Sequence, residues 1–139
     1  MKPLITKQKV LLLVAILAFS SCLNTDDLPN YKYEFIGINE AETPTSFTFG
    51  ARDTINLKYT LPNSCYSFDN IYYEYQDTAR VVAVRAFVDL DAVCTQATIE
   101  KEYKLIVNVS QKQDYLFKFF KGKDTNGENI FEEIVIPVN

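Results

Sequence analysis

The sequence predicts an all-β fold, a single antiparallel β-sandwich of seven or eight strands, and three observations point to it. Short segments rich in aromatic, aliphatic and β-branched residues recur about every ten residues, each bounded by Gly, Pro, Asn, Asp or Ser. No stretch of the folding region keeps the apolar period of an amphipathic helix. Nine Tyr and ten Phe, in a chain that is 47% hydrophobic, supply more core-forming material than a disordered chain carries.

Eight segments are expected as strands. Tyr31 to Ile38 opens the domain, and the short Ser46 to Phe49 follows between Pro44 and Gly50. Thr54 to Leu61 alternates, with Ile55, Leu57, Tyr59 and Leu61 on one parity and Lys58 among polar residues on the other, so it buries one face. Asn70 to Tyr75 is tyrosine-rich. Arg80 to Asp89 is the next strand, and Ala79 to Val88 is apolar on both parities apart from Arg80 and Arg85, which predicts a central strand or one with a covered outer face. Lys101 to Val109 and Tyr115 to Lys121 return to one-sided burial, through Tyr103, Leu105, Val107 and Val109 and through Tyr115, Phe117 and Phe119. Ile130 to Val138 closes the chain with Ile134, Ile136 and Val138. Between the last two strands, Gly122 to Asn129 supplies residues tolerant of positive φ and reads as a hairpin connection.

Ahead of this domain stand a basic start, MKPLITKQK, the ten-residue apolar run Val10 to Phe19, and Ser20-Ser21 before Cys22. These are the parts of a secretory signal. A membrane-spanning helix needs about 20 apolar residues, so the run directs export without spanning. Residues 1–21 are expected to be a signal peptide, 22–30 a lipidated cysteine with a flexible tether containing Pro29, and 31–139 the sandwich.

Phe19-Ser20-Ser21-Cys22 resembles the lipobox of bacterial lipoproteins, whose cysteine is diacylated, exposed by cleavage and often acylated on its new amino group. The resemblance implies lipidation of Cys22, with palmitate-like chains as a stable membrane anchor. The competing reading is an ordinary signal peptide with Cys22 a spare or differently paired thiol. Three cysteines in an exported chain leave one unpaired, whereas lipidation of Cys22 leaves Cys65 and Cys94, at or beside loops, as a disulfide. Asp26-Asp27 resembles the acidic export signal of many lipoproteins of the Bacteroidota, which implies the outer membrane, with the cell surface favoured over the periplasmic face. The alternative is that the aspartates only solubilise the tether.

Composition narrows the chemistry. There is no His and no Trp, which removes Ser-His-Asp and Cys-His catalysis and His-containing zinc sites. Of 14 Lys and Arg, Lys2, Lys7 and Lys9 lie in the leader, and the remaining 11 face 18 Asp and Glu, a net charge of −7. No nucleic-acid partner is expected. The local basic group Lys118, Lys121 and Lys123 reads as a solvated strand end.

Taken end to end, the chain resembles the small lipoproteins of Bacteroidota, especially flavobacteria, that carry immunoglobulin-like sandwiches. The residues that carry the likeness are the lipobox, the Asp pair, PTSFTFG (Pro44 to Gly50), the two later cysteines, and YLFKFFKGKDTNGENIFEEIVIPV (Tyr115 to Val138). The resemblance implies an immunoglobulin-like fold and an envelope location, and no catalytic residue.

Candidate sites remain. Cys65 to Asp77 holds Tyr66, Tyr72, Tyr73 and Tyr75, which could stack on sugar rings or anchor a protein. In an extended strand Tyr73 and Tyr75 share one face and Tyr72 and Glu74 the other. Cross-strand packing is the favoured reading and a binding face the alternative. Asp53-Thr54-Ile55 and Asp77-Thr78-Ala79 resemble the O-glycosylation sequon of Bacteroidota, on Thr54 and Thr78. Asp124, Asn126 and Glu128 offer alternate oxygens but fall short of a calcium frame, and no metal or cofactor is expected. The carboxylate pairs Glu40/Glu42, Asp89/Asp91 and Glu100/Glu102 read as solvated faces. The sequence thus points to a noncatalytic binding or envelope-assembly module that engages a glycan or an envelope protein. Its alternatives are a structural accessory subunit pairing through a sheet edge, or a small hydrolase.

Overall fold

The computed structural model describes residues 29–139; the signal peptide, Cys22 and most of the tether lie outside the described residues. The described chain is eight strands and no helix: β1 (Tyr31–Ile36), β2 (Ile38–Glu42), β3 (Arg52–Leu61), β4 (Tyr66–Gln76), β5 (Ala79–Asp89), β6 (Ile99–Asn108), β7 (Tyr115–Lys123) and β8 (Asn129–Ile136). They build a five-stranded sheet containing β1, β4, β5, β7 and β8, and a three-stranded sheet ordered β2-β3-β6. The expected β-sandwich is the observed fold.

β5 organises the larger sheet. One edge pairs with β4 along its length. The other edge is shared, Val84 to Asp89 pairing with β1 and Ala79 to Val82 with β7. Val81 and Ala83 on its outer parity are buried, like Val82 and Val84 on its inner parity, and a strand covered on both faces carries apolar residues on both, which is the pattern the sequence shows. The β5–β7 ladder is parallel, whereas the other strand ladders are antiparallel. The chain leaves β5, crosses to the other sheet as β6, and returns as β7, and such a crossover allows neighbours to run the same way.

The core lies between the sheets. Ile55, Leu57, Tyr59 and Leu61 of β3 meet Val82, Val84 and Ala86 of β5 and the ladder Tyr115, Phe117, Phe119 of β7, all buried. The one-sided strands read from alternation are therefore one-sided in the fold. The Tyr115 hydroxyl accepts hydrogen bonds from the backbone N–H of Ser110 (3.0 Å) and Gln111 (3.4 Å), which pins the β6–β7 loop to the core. The hairpin expected at Gly122 to Asn129 joins β7 and β8, with Gly122 and Gly127 at φ 130° and 83°.

Two expected strands differ. Tyr31 to Ile38 is not one strand: Gly37 breaks it, β1 staying in the five-stranded sheet while β2 enters the other. At the crossing the chain presses on β7 so closely that a Cβ on Gly37 would collide with the carbonyl oxygen of Lys121. Only glycine fits. Gly37→Ala is expected to lower stability by about 1–3 kcal/mol, read as a fall in the urea midpoint; an unchanged midpoint would show that the crossing relaxes. Ser46 to Phe49 forms no strand but a single parallel bridge from Phe47 to Val138, with Phe47 fully buried. Its backbone bonds to the C-terminal residues reach Pro137 and Asn139, and the Thr48 carbonyl takes a turn bond from Ala51 N–H, too few for a ladder.

Cys65, at the entry to β4, and Cys94, in the β5–β6 loop, form the expected disulfide, with Cα atoms 5.3 Å apart. It joins two loops and is not a bridge between sheet interiors.

Candidate functional site

The tyrosine-rich segment is β4, an edge strand whose ladder to β5 shifts between Phe68 and Asn70, leaving Asp69 as a bulge. Its parity is the expected one. Tyr73 and Tyr75 sit opposite Val82 and Arg80 on the inner face, and Tyr72 opposite Ala83 on the outer face. Tyr66 also faces inward, donating its hydroxyl to Glu34 at 2.7 Å. That bond, ahead of burial, pushes the Tyr66 phenol up to about 12, while Lys32 and then Tyr66 hold the Glu34 carboxyl below its ordinary range. Tyr73 packs against the core, and burial pushes its phenol up to about 12. The four tyrosines therefore form no single surface.

What gathers around Tyr72 is larger. On β1, Tyr31, Tyr33 and Phe35 stand opposite Asp89, Phe87 and Arg85, on the outer side of the sheet, and are 46, 49 and 50% exposed. Lys32 and Glu34 take the inward parity, so the strand's polarity is the reverse of a solvent-facing strand. Tyr31 and Tyr33 pack on Phe87 at 5.1 and 6.0 Å between ring centroids. Phe35 meets Tyr72 at 5.2 Å and Phe120 at 6.2 Å, and Phe120 meets Phe131 at 6.0 Å. Between these groups lies Arg85, its guanidinium 4.9 Å from the Tyr33 ring and its Nε 2.6 Å from Asp69 Oδ2. A groove of about 320 Å³ opens beside Phe35, Tyr72, Phe120 and Phe131.

The other sheet's outer face is built for water. Thr54, Asn56, Lys58 and Thr60 alternate there with Glu100, Glu102 and Lys104 of β6. Lys58 bridges Glu40 at 3.0 Å and Glu42 at 2.5 Å, which raises its ammonium pKa and lowers that of Glu42. The Glu40/Glu42 pair thus lies on an open, ion-paired surface. Thr54 is exposed within β3, and Thr78 is exposed at the tip of the β4–β5 hairpin beside Asp77, whose φ is 52°. Asp124 Oδ1 accepts from the backbone N–H of Asn126 (2.8 Å) and Glu128 (2.9 Å), so it closes the hairpin turn.

Between the edge strands β4 and β6, on the inner side of β4, opens a second concavity of about 480 Å³ that includes Tyr73, Tyr75, Tyr103 and Arg80. Arg80 is 5% exposed. Sequence reading singled out neither this arginine nor the β1 aromatics as site residues. The available signal was β5 itself: an arginine inside a run apolar on both parities, and an outer parity that demands apolar neighbours across the sheet.

Eight strands in two packed sheets, with one outer face polar and the other aromatic, define a β-sandwich domain. The family model described as the ORF11 beta-sandwich domain matches residues 55–134, more than half of the chain, from within β3 to within β8. The chain belongs to the ORF11 beta-sandwich domain family. Comparison with curated proteins and with solved structures returns no match.

Proposed function

We propose that the protein is a lipoprotein anchored through Cys22, displayed on the cell surface from the outer membrane, whose sandwich is a noncatalytic binding module for an envelope protein. The anchor and address rest on the leader, the lipobox-like end and Asp26-Asp27. One observation carries the binding role: the outer face of the larger sheet holds the exposed aromatic residues Tyr31, Tyr33, Phe35, Tyr72 and Phe131, with Arg85 among them. Exposed contiguous aromatic surface marks interaction sites, and aromatic residues with arginine are the composition of protein-binding hot spots. Engagement buries the rings while the Asp69–Arg85 pair sets orientation.

The face is favoured over the sheet edges as the docking element. β4 carries a bulge, and β6 presents Glu100, Lys101, Glu102 and Lys104, the devices that keep edges from pairing with other strands.

Photo-crosslinking in native-host cells tests the reading, with a crosslinking residue at Tyr33 or Phe35 and, as control, at Thr54 or Lys104. Discrete adducts from β1 alone are expected, together with movement of Cys22→Ser to the soluble fraction. Equal adducts from both faces, or none, would remove the binding face; retention of Cys22→Ser in the membrane would remove the anchor.

A further inference from the structure

The cleft between β4 and β6 holds a charge that the fold does not neutralise. Arg80 is the one buried charged residue among the described residues, and none of the ion pairs found there involves it. Its Nη1 donates to the backbone carbonyls of Ala79 (3.0 Å) and Asp77 (3.3 Å), and its Nη2 to Gln111 Oε1 (2.5 Å). A guanidinium has five N–H donors, so two lack an acceptor. One is Nε, the only buried side-chain polar atom among the described residues with no partner. Leaving a buried donor and a buried charge uncompensated is unfavourable, and native folds rarely do so without a use. Two spare N–H groups on a planar guanidinium are the donors that a carboxylate takes as a bidentate pair.

The surroundings describe the rest of the ligand. The guanidinium lies 4.2 Å from the ring centroid of Tyr75, which is 68% exposed, and 5.2 Å from that of Tyr115, which is buried. Tyr103 provides a further flat wall, and Asn70 and Ser110 line the same space of about 480 Å³ beside the aliphatic Ile71, while the Asn108 amide oxygen is taken by Arg52 Nε at 3.2 Å. An apolar chain segment would leave the guanidinium without a counter-charge. A hydroxylated ring bearing one carboxylate stacks on tyrosine, hydrogen-bonds Asn70 and Ser110 and meets the arginine.

We infer that the β4–β6 cleft is a binding site for an acidic sugar residue, with Arg80 receiving its carboxylate, Tyr75 and Tyr103 flanking the ring, and Gln111 holding the guanidinium in place. The site lies on the inner side of β4, apart from the aromatic outer face, and stands whether or not that face binds protein.

The test is titration of the full chain, in detergent micelles, with glucuronate, glucose and an N-acetylated dipeptide carrying a free C-terminal carboxylate, followed by NMR shifts of the Tyr75 and Tyr103 rings. Glucuronate is expected to bind at least tenfold more tightly than glucose or the dipeptide. Arg80→Met is expected to abolish the preference, with a thermal melt confirming that the variant folds, since it also removes the donor of Gln111 Oε1 and of the Ala79 and Asp77 carbonyls. Should that variant not fold, Gln111→Glu reports independently: its carboxylate supplies the guanidinium with a counter-charge from within the chain, so glucuronate affinity falls at least tenfold, while the amide's bonds to the carbonyls of Gln113 and Asp114 (3.2 Å each) are lost. Glucuronate binding no tighter than glucose, or unchanged by Gln111→Glu, would overturn the assignment. Tighter binding of the dipeptide would overturn the acidic-sugar identity in favour of a chain terminus.

Discussion

Phe117→Ala is expected to be among the most damaging single substitutions in the domain, at about 3–5 kcal/mol. Phe117 is fully buried in β7, stacked between Tyr115 (5.9 Å) and Phe119 (5.6 Å) with Phe47 edge-on at 6.2 Å. β7 joins β8 to the rest of the sheet through its short parallel ladder with β5, and Phe47 pins the C-terminal residues beside it. Removing the ring leaves a cavity among groups that hydrogen-bonded ladders hold in place, so collapse cannot fill it. Against a total stability of about 5–15 kcal/mol for a domain of this kind, the loss approaches unfolding. Urea titration followed by tyrosine fluorescence reads it directly, because the chain has no Trp. Phe131→Ala, on the exposed outer face, serves as control and should move the midpoint little. A shift of similar size in both variants would mean that the outer aromatics are part of the core.

Removal of the Cys65–Cys94 disulfide acts by a different route. The cysteines are 29 positions apart, and closing a loop of that length restricts the unfolded chain by about 3–4 kcal/mol. The native contacts that remain are sufficient to keep the two loops in place: Asp89 N–H bonds Cys65 O at 3.1 Å, Thr95 N–H bonds Ser64 Oγ at 2.9 Å, and Leu90 N–H bonds Asn30 O at 2.9 Å. Cys65→Ala with Cys94→Ala is therefore expected to fold to the same structure and unfold at lower urea, with a steeper dependence on denaturant because the open chain exposes more surface. Crosslinking from β1 should survive in this variant. A double variant with the stability of the parent would show that the loops are constrained equally in the unfolded ensemble.

Much of the fold was legible because strand alternation reports burial directly. Ile55, Leu57, Tyr59 and Leu61 could not alternate with polar residues unless one face was wet, and two-sided apolarity in β5 called for a central strand or a covered outer face, both of which β5 has. The break at Gly37 was not legible, since Tyr31 to Ile38 reads as one β-prone run and the collision that forces glycine comes from Lys121, distant in sequence. Ser46 to Phe49 looked like a strand because a buried Phe flanked by Thr and Ser has strand composition, whatever its backbone pairs with.

The site was less legible than the fold. Aromatic density drew attention to Tyr66, Tyr72, Tyr73 and Tyr75, yet the β4 pleat sends one outward and three inward. In β1 the alternation of Tyr31, Tyr33 and Phe35 with Lys32 and Glu34 states that two unlike faces exist without stating which faces the core. Only pairing with β5 decides it, and it points the aromatics out. The sequence by itself determined the strand class, the one-sided burial and the cysteine pair, because each depends on local pattern or on counting. Tertiary structure alone decided which face of β1 is wet and which N–H groups of Arg80 lack acceptors, because both are set by groups far along the chain that only folding brings together.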